Sequence, residues 1–156
     1  MEKGWVHSVS FSPSGNKLAW VSHDCTISVA DSSGSQPITC VVRLENLPFQ
    51  ACLFVTENII LAAGHDNSPY KYAWDGKNIK IEGDIDTLTR NKSSQPAEIS
   101  AMSKFRNLDK LAQASGVVSA SSKKTHANTI TCLLRMPNNT MASSGLDSKI
   151  VIWDKF

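Results

Sequence analysis

Ser143-Ser144-Gly145-Leu146-Asp147-Ser148-Lys149-Ile150-Val151-Ile152-Trp153-Asp154 sets an aspartate in a turn and closes an alternating apolar run on a second aspartate, at a spacing of seven. Val21-Ser22-His23-Asp24-Cys25-Thr26-Ile27-Ser28-Val29-Ala30-Asp31 repeats that frame with the same spacing of seven. A looser copy joins Ala62-Ala63-Gly64-His65-Asp66 to Tyr70-Lys71-Tyr72-Ala73-Trp74-Asp75, where the spacing of nine predicts a turn two residues longer. Internal repetition constrains a fold more tightly than local propensity does, because each unit must bury its apolar face on its neighbour.

The residues upstream repeat as well. Val6 to Phe11 alternates, Ser12-Pro13-Ser14-Gly15-Asn16 turns, and Lys17 to Val21 resumes. Gln50 to Val55, Thr56-Glu57-Asn58 and Ile59 to Ala63 form the second copy; Ile130 to Leu134, Met136 to Thr140 and Met141 to Ser143 form the third. The runs Ile38 to Leu44 and Ile79 to Ile85 add a fourth strand to the first two units. Short alternating strands cut by Gly, Pro, Asn and Ser read as antiparallel sheet. Four strands in about 42 residues is the signature of a propeller blade, so the fold class is all-β.

Asp24 and Asp66 are 42 residues apart, one blade, whereas Asp66 and Asp147 are 81 apart. The excess falls in residues 87–125, rich in Ser, Lys, Asn, Gln and Ala, which read as an inserted loop. Blades are thus expected at residues 4–46, 47–86 and 126–156. Inside the insertion, residues 100–113 read as a short amphipathic helix, with Met102, Phe105, Leu108 and Ala112 on one face and Ser100 as its cap. A helix that short is marginal alone, so its apolar side must bury against something.

The chain has 156 residues, 41% hydrophobic and 19% charged, with a formal net charge of +2. That near balance argues against nucleic-acid binding by bulk charge, and Lys123-Lys124 have no aromatic stacking platform beside them. No apolar run has the length for a membrane span, and Met1 to Trp5 does not read as a leader, so a cytosolic protein without membrane insertion is expected. Charge is asymmetric: residues 86–126 hold 7 basic and 3 acidic groups, while the remainder is net acidic. Cys25, Cys40, Cys52 and Cys132 form no Cys-x-x-Cys pair and are expected as small buried hydrophobes. His7, His23 and His65, spaced by 16 and 42, match no metal motif, and no phosphate-binding loop occurs, so no cofactor or metal is expected.

Turn aspartate, strand and Trp-Asp together are the WD-repeat pattern, kept in full in the last unit by His126, Asp147 and Trp153-Asp154. More specifically, Gly4 to Phe11, Leu18 to Asp24, Ala62 to Asp66, and Ser100-Ala101-Met102 with Phe105-Arg106-Asn107 and Asp109-Lys110 resemble the WD-repeat subunit family of the actin-related protein 2/3 complex. The resemblance covers essentially the whole chain. It implies a seven-bladed β-propeller of which this chain supplies about the last three blades, and a non-enzymatic scaffold role in actin filament nucleation and branching. Partners implied are actin, the actin-related proteins, the other subunits and nucleation-promoting factors, at the cytoplasmic actin cytoskeleton. Carried over onto the insertion, the actin-contact candidates are Met102, Phe105, Arg106, Asn107, Leu108, Asp109 and Lys110, while Ser103-Lys104 and Leu111-Ala112-Gln113 follow the family's motif loosely. The chain also ends at Phe156 without the further segment expected after Trp-Asp. A generic WD-repeat adaptor in a signalling or ubiquitin-ligase assembly is the alternative.

In that pattern His126, Ser143, Asp147 and Trp153 form a structural tetrad, with Asp24 and Asp66 as the turn aspartates of the other blades. A Ser-His-Asp hydrolase reading lacks a nucleophile elbow. Without the insertion the chain holds just under three blades, fewer than the roughly four a closed propeller needs. An open arc is expected, its strand edges needing cover.

Overall fold

A computed structural model describes residues 4–93, 124–138 and 140–154. Alternating runs between Gly-, Asn- and Ser-bearing turns give three antiparallel sheets. The first holds β1 (Val6–Phe11), β2 (Lys17–Ser22), β3 (Thr26–Asp31) and β4 (Ile38–Arg43), hydrogen-bonded in that order. The second holds β5 (Phe49–Phe54), β6 (Ile59–Gly64), β7 (Tyr70–Trp74) and β8 (Ile79–Asp84), also in chain order. After α1 (Ile85–Ser93) come β9 (Ile130–Arg135), β10 (Met141–Gly145) and β11 (Ile150–Trp153), a three-stranded sheet among the described residues. Each sheet is an up-and-down meander, the layout of a propeller blade.

The register centres on the turn aspartate in every blade. Trp20 faces Ser28, Ala62 faces Tyr70 and Ser143 faces Val151, so Asp24, Asp66 and Asp147 sit at the midpoints. The second turn is therefore not two residues longer than the others. The wider spacing arises at the far end of β7, which runs on to Trp74 before Asp75 enters the next turn. The residue after each aspartate, Cys25, Asn67 or Ser148, is left-handed with φ of 61°. The register also slips at one equivalent place per blade, leaving His7, Gln50 and Thr131 as bulged residues on the first strands.

The blades stack through two apolar cores. Ala19, Val21, Ile27 and Val29 of the first sheet pack on Cys52, Phe54, Ile60 and Trp74 of the second. The opposite face of the second sheet, with Ala51, Leu61 and Ala63, packs on Ile130, Leu133, Met141 and Trp153 of the third. This explains why β6 reads Ile-Ile-Leu-Ala-Ala-Gly without alternation: it is covered on both faces, as buried parallel strands are. Polar groups pin the first joint. Ser8 and Ser10 accept from the Cys52 and Phe54 amides at 3.2 and 2.9 Å, and Lys17 pairs with Glu57 at 3.1 Å.

Over residues 87–93 the loop expected from the sequence is instead helix, since α1 runs from Ile85 through Ser93. Its cap is Asp84, whose carboxylate accepts the Asp86 amide at 2.8 Å. The helix expected at 100–113, with Met102, Phe105, Arg106, Asn107, Leu108, Asp109 and Lys110, lies outside the described residues.

The cysteines also depart from expectation. All four are free, yet only Cys52 is buried, and Cys132 is exposed. Cys132 stands beside Leu134 on the face of the third sheet turned away from the core, and Cys25 occupies a turn.

Candidate functional site

The polar residues singled out in the last blade converge on one buried chain of hydrogen bonds. Trp153 Nε1 donates to Ser143 Oγ at 2.8 Å. Ser143 Oγ lies 2.8 Å from His126 Nε2, and His126 Nδ1 lies 3.0 Å from Asp147 Oδ1. One tautomer satisfies every member: Ser143 donates to Nε2, and Nδ1–H donates to the carboxylate. The Ala127 amide reaches Asp147 Oδ2 at 2.8 Å, so the aspartate ties the loop before β9 to the β10–β11 turn. Burial of the Asp147 carboxyl opposes its ionisation. Hydrogen bonds from the Ala127 amide, His126 and the Lys149 amide outweigh that and hold its pKa at about 2.

Gly145 makes the close approach possible. A Cβ there would sit 2.9 Å from both His126 Nδ1 and Asp147 Oδ1, inside the hydrogen bond itself.

The triad-like order Ser143–His126–Asp147 cannot act as a hydrolase. Ser143 and His126 are both buried, and the serine oxygen is already engaged by the Trp153 indole. A nucleophile needs a path to substrate and a free line of attack, and Ser143 has neither. Cys52, the other buried nucleophile type, is pushed by burial to about 11, far from a reactive thiolate.

The second blade carries a weakened version that the sequence reading missed. Asn46 stands where His126 does: its Nδ2 donates to Asp66 Oδ2 at 3.0 Å, and the Leu47 amide joins at 3.2 Å. Ala62 replaces Ser143 and Tyr72 replaces Trp153, as the register around Asp66 shows. The Tyr72 hydroxyl consequently has no partner among the described residues. Asn46 was findable, since it precedes Asp66 by 20 residues as His126 precedes Asp147 by 21. In the first blade, Asp24 accepts from Thr26 Oγ1 at 2.7 Å.

The three other histidines also make polar contacts. His7 Nε2 lies 3.1 Å from His23 Nδ1, Gln50 Nε2 lies 3.0 Å from His65 Nε2, and His65 Nδ1 lies 3.0 Å from Thr129 Oγ1 in the next blade. Burial, and the like charges of His23 and His65, push the His7 pKa down. Among the described residues no group of three or more His, Cys, Asp or Glu is placed to hold a metal ion.

The insertion leaves the second blade through a closed stem. Asp86, in the first turn of α1, accepts the Thr125 amide at 2.6 Å and its hydroxyl at 2.7 Å. Its two ends are thus held together by one carboxylate, and Ile85 beside it is fully buried in the second core.

The WD domain, G-beta repeat family matches residues 2–31 and 117–154, passing over the second blade with its Asn46, Ala62 and Tyr72. Over 97% of its length the chain is 40% identical to Actin-related protein 2/3 complex subunit 1A-B of Xenopus laevis, covering 41% of that protein. It is 35% identical to subunit 1B-A of the same organism over 97% of the chain and 42% of the relative. Against subunit 1 of Schizosaccharomyces pombe the identity is 33%, over 96% of the chain and 45% of the relative. The chain spans about two fifths of the length of the curated relatives it matches. No helix among the described residues is long and apolar enough to cross a membrane.

Proposed function

The chain carries WD repeats and is similar along nearly its whole length to part of the Actin-related protein 2/3 complex subunit 1 proteins, and from that premise we propose that it serves as a non-enzymatic scaffold subunit of that complex. The observation that carries this reading is 40% identity sustained over 97% of the chain, insertion included. The geometry agrees with a scaffold: polar groups are spent on joining loops, strands and blades, and the Ser-His-Asp constellation is buried and internally satisfied.

In this role the stacked blades dock on other subunits and actin-related proteins at the cytoplasmic actin cytoskeleton. The insertion presents Met102, Phe105, Arg106, Asn107, Leu108, Asp109 and Lys110 to actin during nucleation and branching, with nucleation-promoting factors as further partners. Its basic excess complements an acidic filament surface. The Asp86–Thr125 hydrogen bonds support this by joining the described residues on either side of the insertion.

The test is co-purification of the tagged chain from cells, read by mass spectrometry for actin-related proteins. Recovery of those proteins is expected, and their absence would sink the scaffold reading. Met102→Ala with Phe105→Ala is expected to weaken actin-filament binding while leaving the melting curve unchanged. Unaltered binding would remove the insertion from the actin contact.

A further inference from the structure

The first two blades place a polar pair at the same point of the repeat, and the two pairs respond to protons differently. In each, the first strand carries a bulged residue, His7 in β1 and Gln50 in β5. Beside it stands the residue that follows the second strand and precedes the turn aspartate, His23 or His65. The amides of those histidines close the corner, His23 donating to the Trp5 carbonyl at 2.8 Å and His65 to the Pro48 carbonyl at 3.4 Å. The side chains close it a second time. His7 Nε2 lies 3.1 Å from His23 Nδ1, and Gln50 Nε2 lies 3.0 Å from His65 Nε2.

A carboxamide presents both a donor and an acceptor, so Gln50 can turn over and hold His65 in either charge state. Two imidazoles lack that freedom. They bond while at least one ring keeps a lone pair, whereas two imidazolium rings set N–H against N–H. The surroundings oppose a second proton on the pair. Burial, then the like charges of His23 and His65, disfavour a proton on His7. β1 packs on β2 and β5, whose other ionisable groups are Lys17 and Cys52. Lys17 is at the far end of β2 and paired with Glu57, and burial keeps Cys52 protonated. Asp24 and Asp66, which follow the two rim-turn histidines in the chain, accept from Thr26 and from Asn46 with the Leu47 amide.

We infer that His7 and His23 form a proton-operated latch at the β1–β2 corner, closed while one ring keeps a lone pair for the other and opened when both are charged, with His65 across the joint opposing the second proton. Imidazole charges just below neutrality, so the latch works in that range. Its opening belongs to the pair and not to either ring, because the two titrations are coupled. The second blade, with glutamine in the place of His7, keeps its corner closed through the same range.

The inference rests on the paired corners and not on the proposed scaffold role. Its test is hydrogen exchange on the purified 156-residue chain from about pH 7.5 to about pH 5. The quantity read is protection of the His23 and His65 amides, corrected for intrinsic exchange. Wild type is expected to lose protection at His23 as pH falls while His65 keeps its own. His7→Gln gives the first blade the pair of the second, and is expected to leave His23 protected throughout. His65→Gln is expected to move the loss at His23 to higher pH. Constant protection of His23 in wild type, equal losses at both corners, or a loss that persists in His7→Gln would overturn the latch. An unmoved transition in His65→Gln would overturn the part given to His65. Should His7→Gln lose its cooperative melt, His23→Gln removes the same clash of charges and is read at the amide of position 23.

Discussion

Trp74 of the second blade donates its indole N–H to Asp31 Oδ2 of the first at 3.0 Å, a buried bond across the joint between sheets. Asp31 is the closing aspartate of the first repeat and also accepts the Ser33 amide at 2.9 Å. Burial opposes its ionisation, but the Ser33 and Trp74 hydrogen bonds and the nearby Lys17 charge together hold its pKa below the usual carboxylate value. Trp74→Phe keeps the ring and removes the donor. It is expected to destabilise by about 1–3 kcal/mol, the cost of leaving a buried polar group short of a partner. Urea unfolding checks this; an unchanged midpoint would show that the bond does not bear on the joint.

The left-handed residue after each turn aspartate gives a second prediction. Asn fills that position in the second blade at no special cost, but Cys25 adopts the same φ of 61° in the first. Non-glycine residues other than Asn and Asp pay for that conformation. Cys25→Asn is expected to stabilise by about 0.5–1 kcal/mol, and Cys25→Val to destabilise by more. Thermal melts of the two variants test the order, and a stabilising valine would refute it.

The two tetrads make a matched pair. Ser143→Ala strands both the Trp153 indole and His126 Nε2, and should cost about 1–3 kcal/mol. Tyr72→Phe in the second blade deletes a hydroxyl that already lacks a partner among the described residues, and should be neutral or stabilising by up to about 1 kcal/mol. Chemical denaturation of both variants compares them directly. Equal losses would show that Tyr72 has a partner in solution.

What the sequence made legible was the repeat. Asp24, Asp66 and Asp147 mark the midpoint of each register because the turn they fix is the same in all three blades. The strands beside β6 could be placed from alternation, and β6 itself from its apolar run between two turns. Three things were not signalled by residue type. The left-handed position is filled by Cys, Asn and Ser, of which only Asn signals that conformation. Asn46 replaces His126 by sharing a hydrogen-bonding role rather than a side-chain type. In α1, Thr87 and Thr89 are β-branched and lower helix propensity, so tertiary support from Ile85 and the Asp84 cap decide the helix. The missing nucleophile elbow already argued against a hydrolase reading of Ser143, His126 and Asp147, and their burial with the Trp153 bond adds the physical reason.

Acid titration gives a prediction of definite sign. Asp147 is held at about 2 in the folded chain against an ordinary 3.8. Between those values the unfolded chain takes up the proton first. The stability contributed by this depressed carboxyl is therefore complete above 3.8 and lost as pH falls toward 2. Asp147→Asn removes the titration, and its acid limb should be shallower than that of wild type even if it is less stable at neutral pH. Denaturation midpoints measured through this window test it; parallel limbs would mean that other carboxylates govern the acid response.

The stem of the insertion yields the last prediction. Asp86 holds the Thr125 amide at 2.6 Å and the Thr125 hydroxyl at 2.7 Å, and Thr125 stands next to His126, the first member of the tetrad. Asp86→Ala frees both groups and also removes the negative charge that complements the N-terminal end of α1. Faster hydrogen exchange is expected at the Thr125 amide. His126 keeps its bonds to Asp147 and Ser143, so the amides of β10 should exchange as in wild type. That split distinguishes a local clamp from a pillar of the fold. Equal acceleration at Thr125 and along β10 would show that the stem supports the whole third blade, whereas no change at Thr125 would show that another group holds the insertion closed.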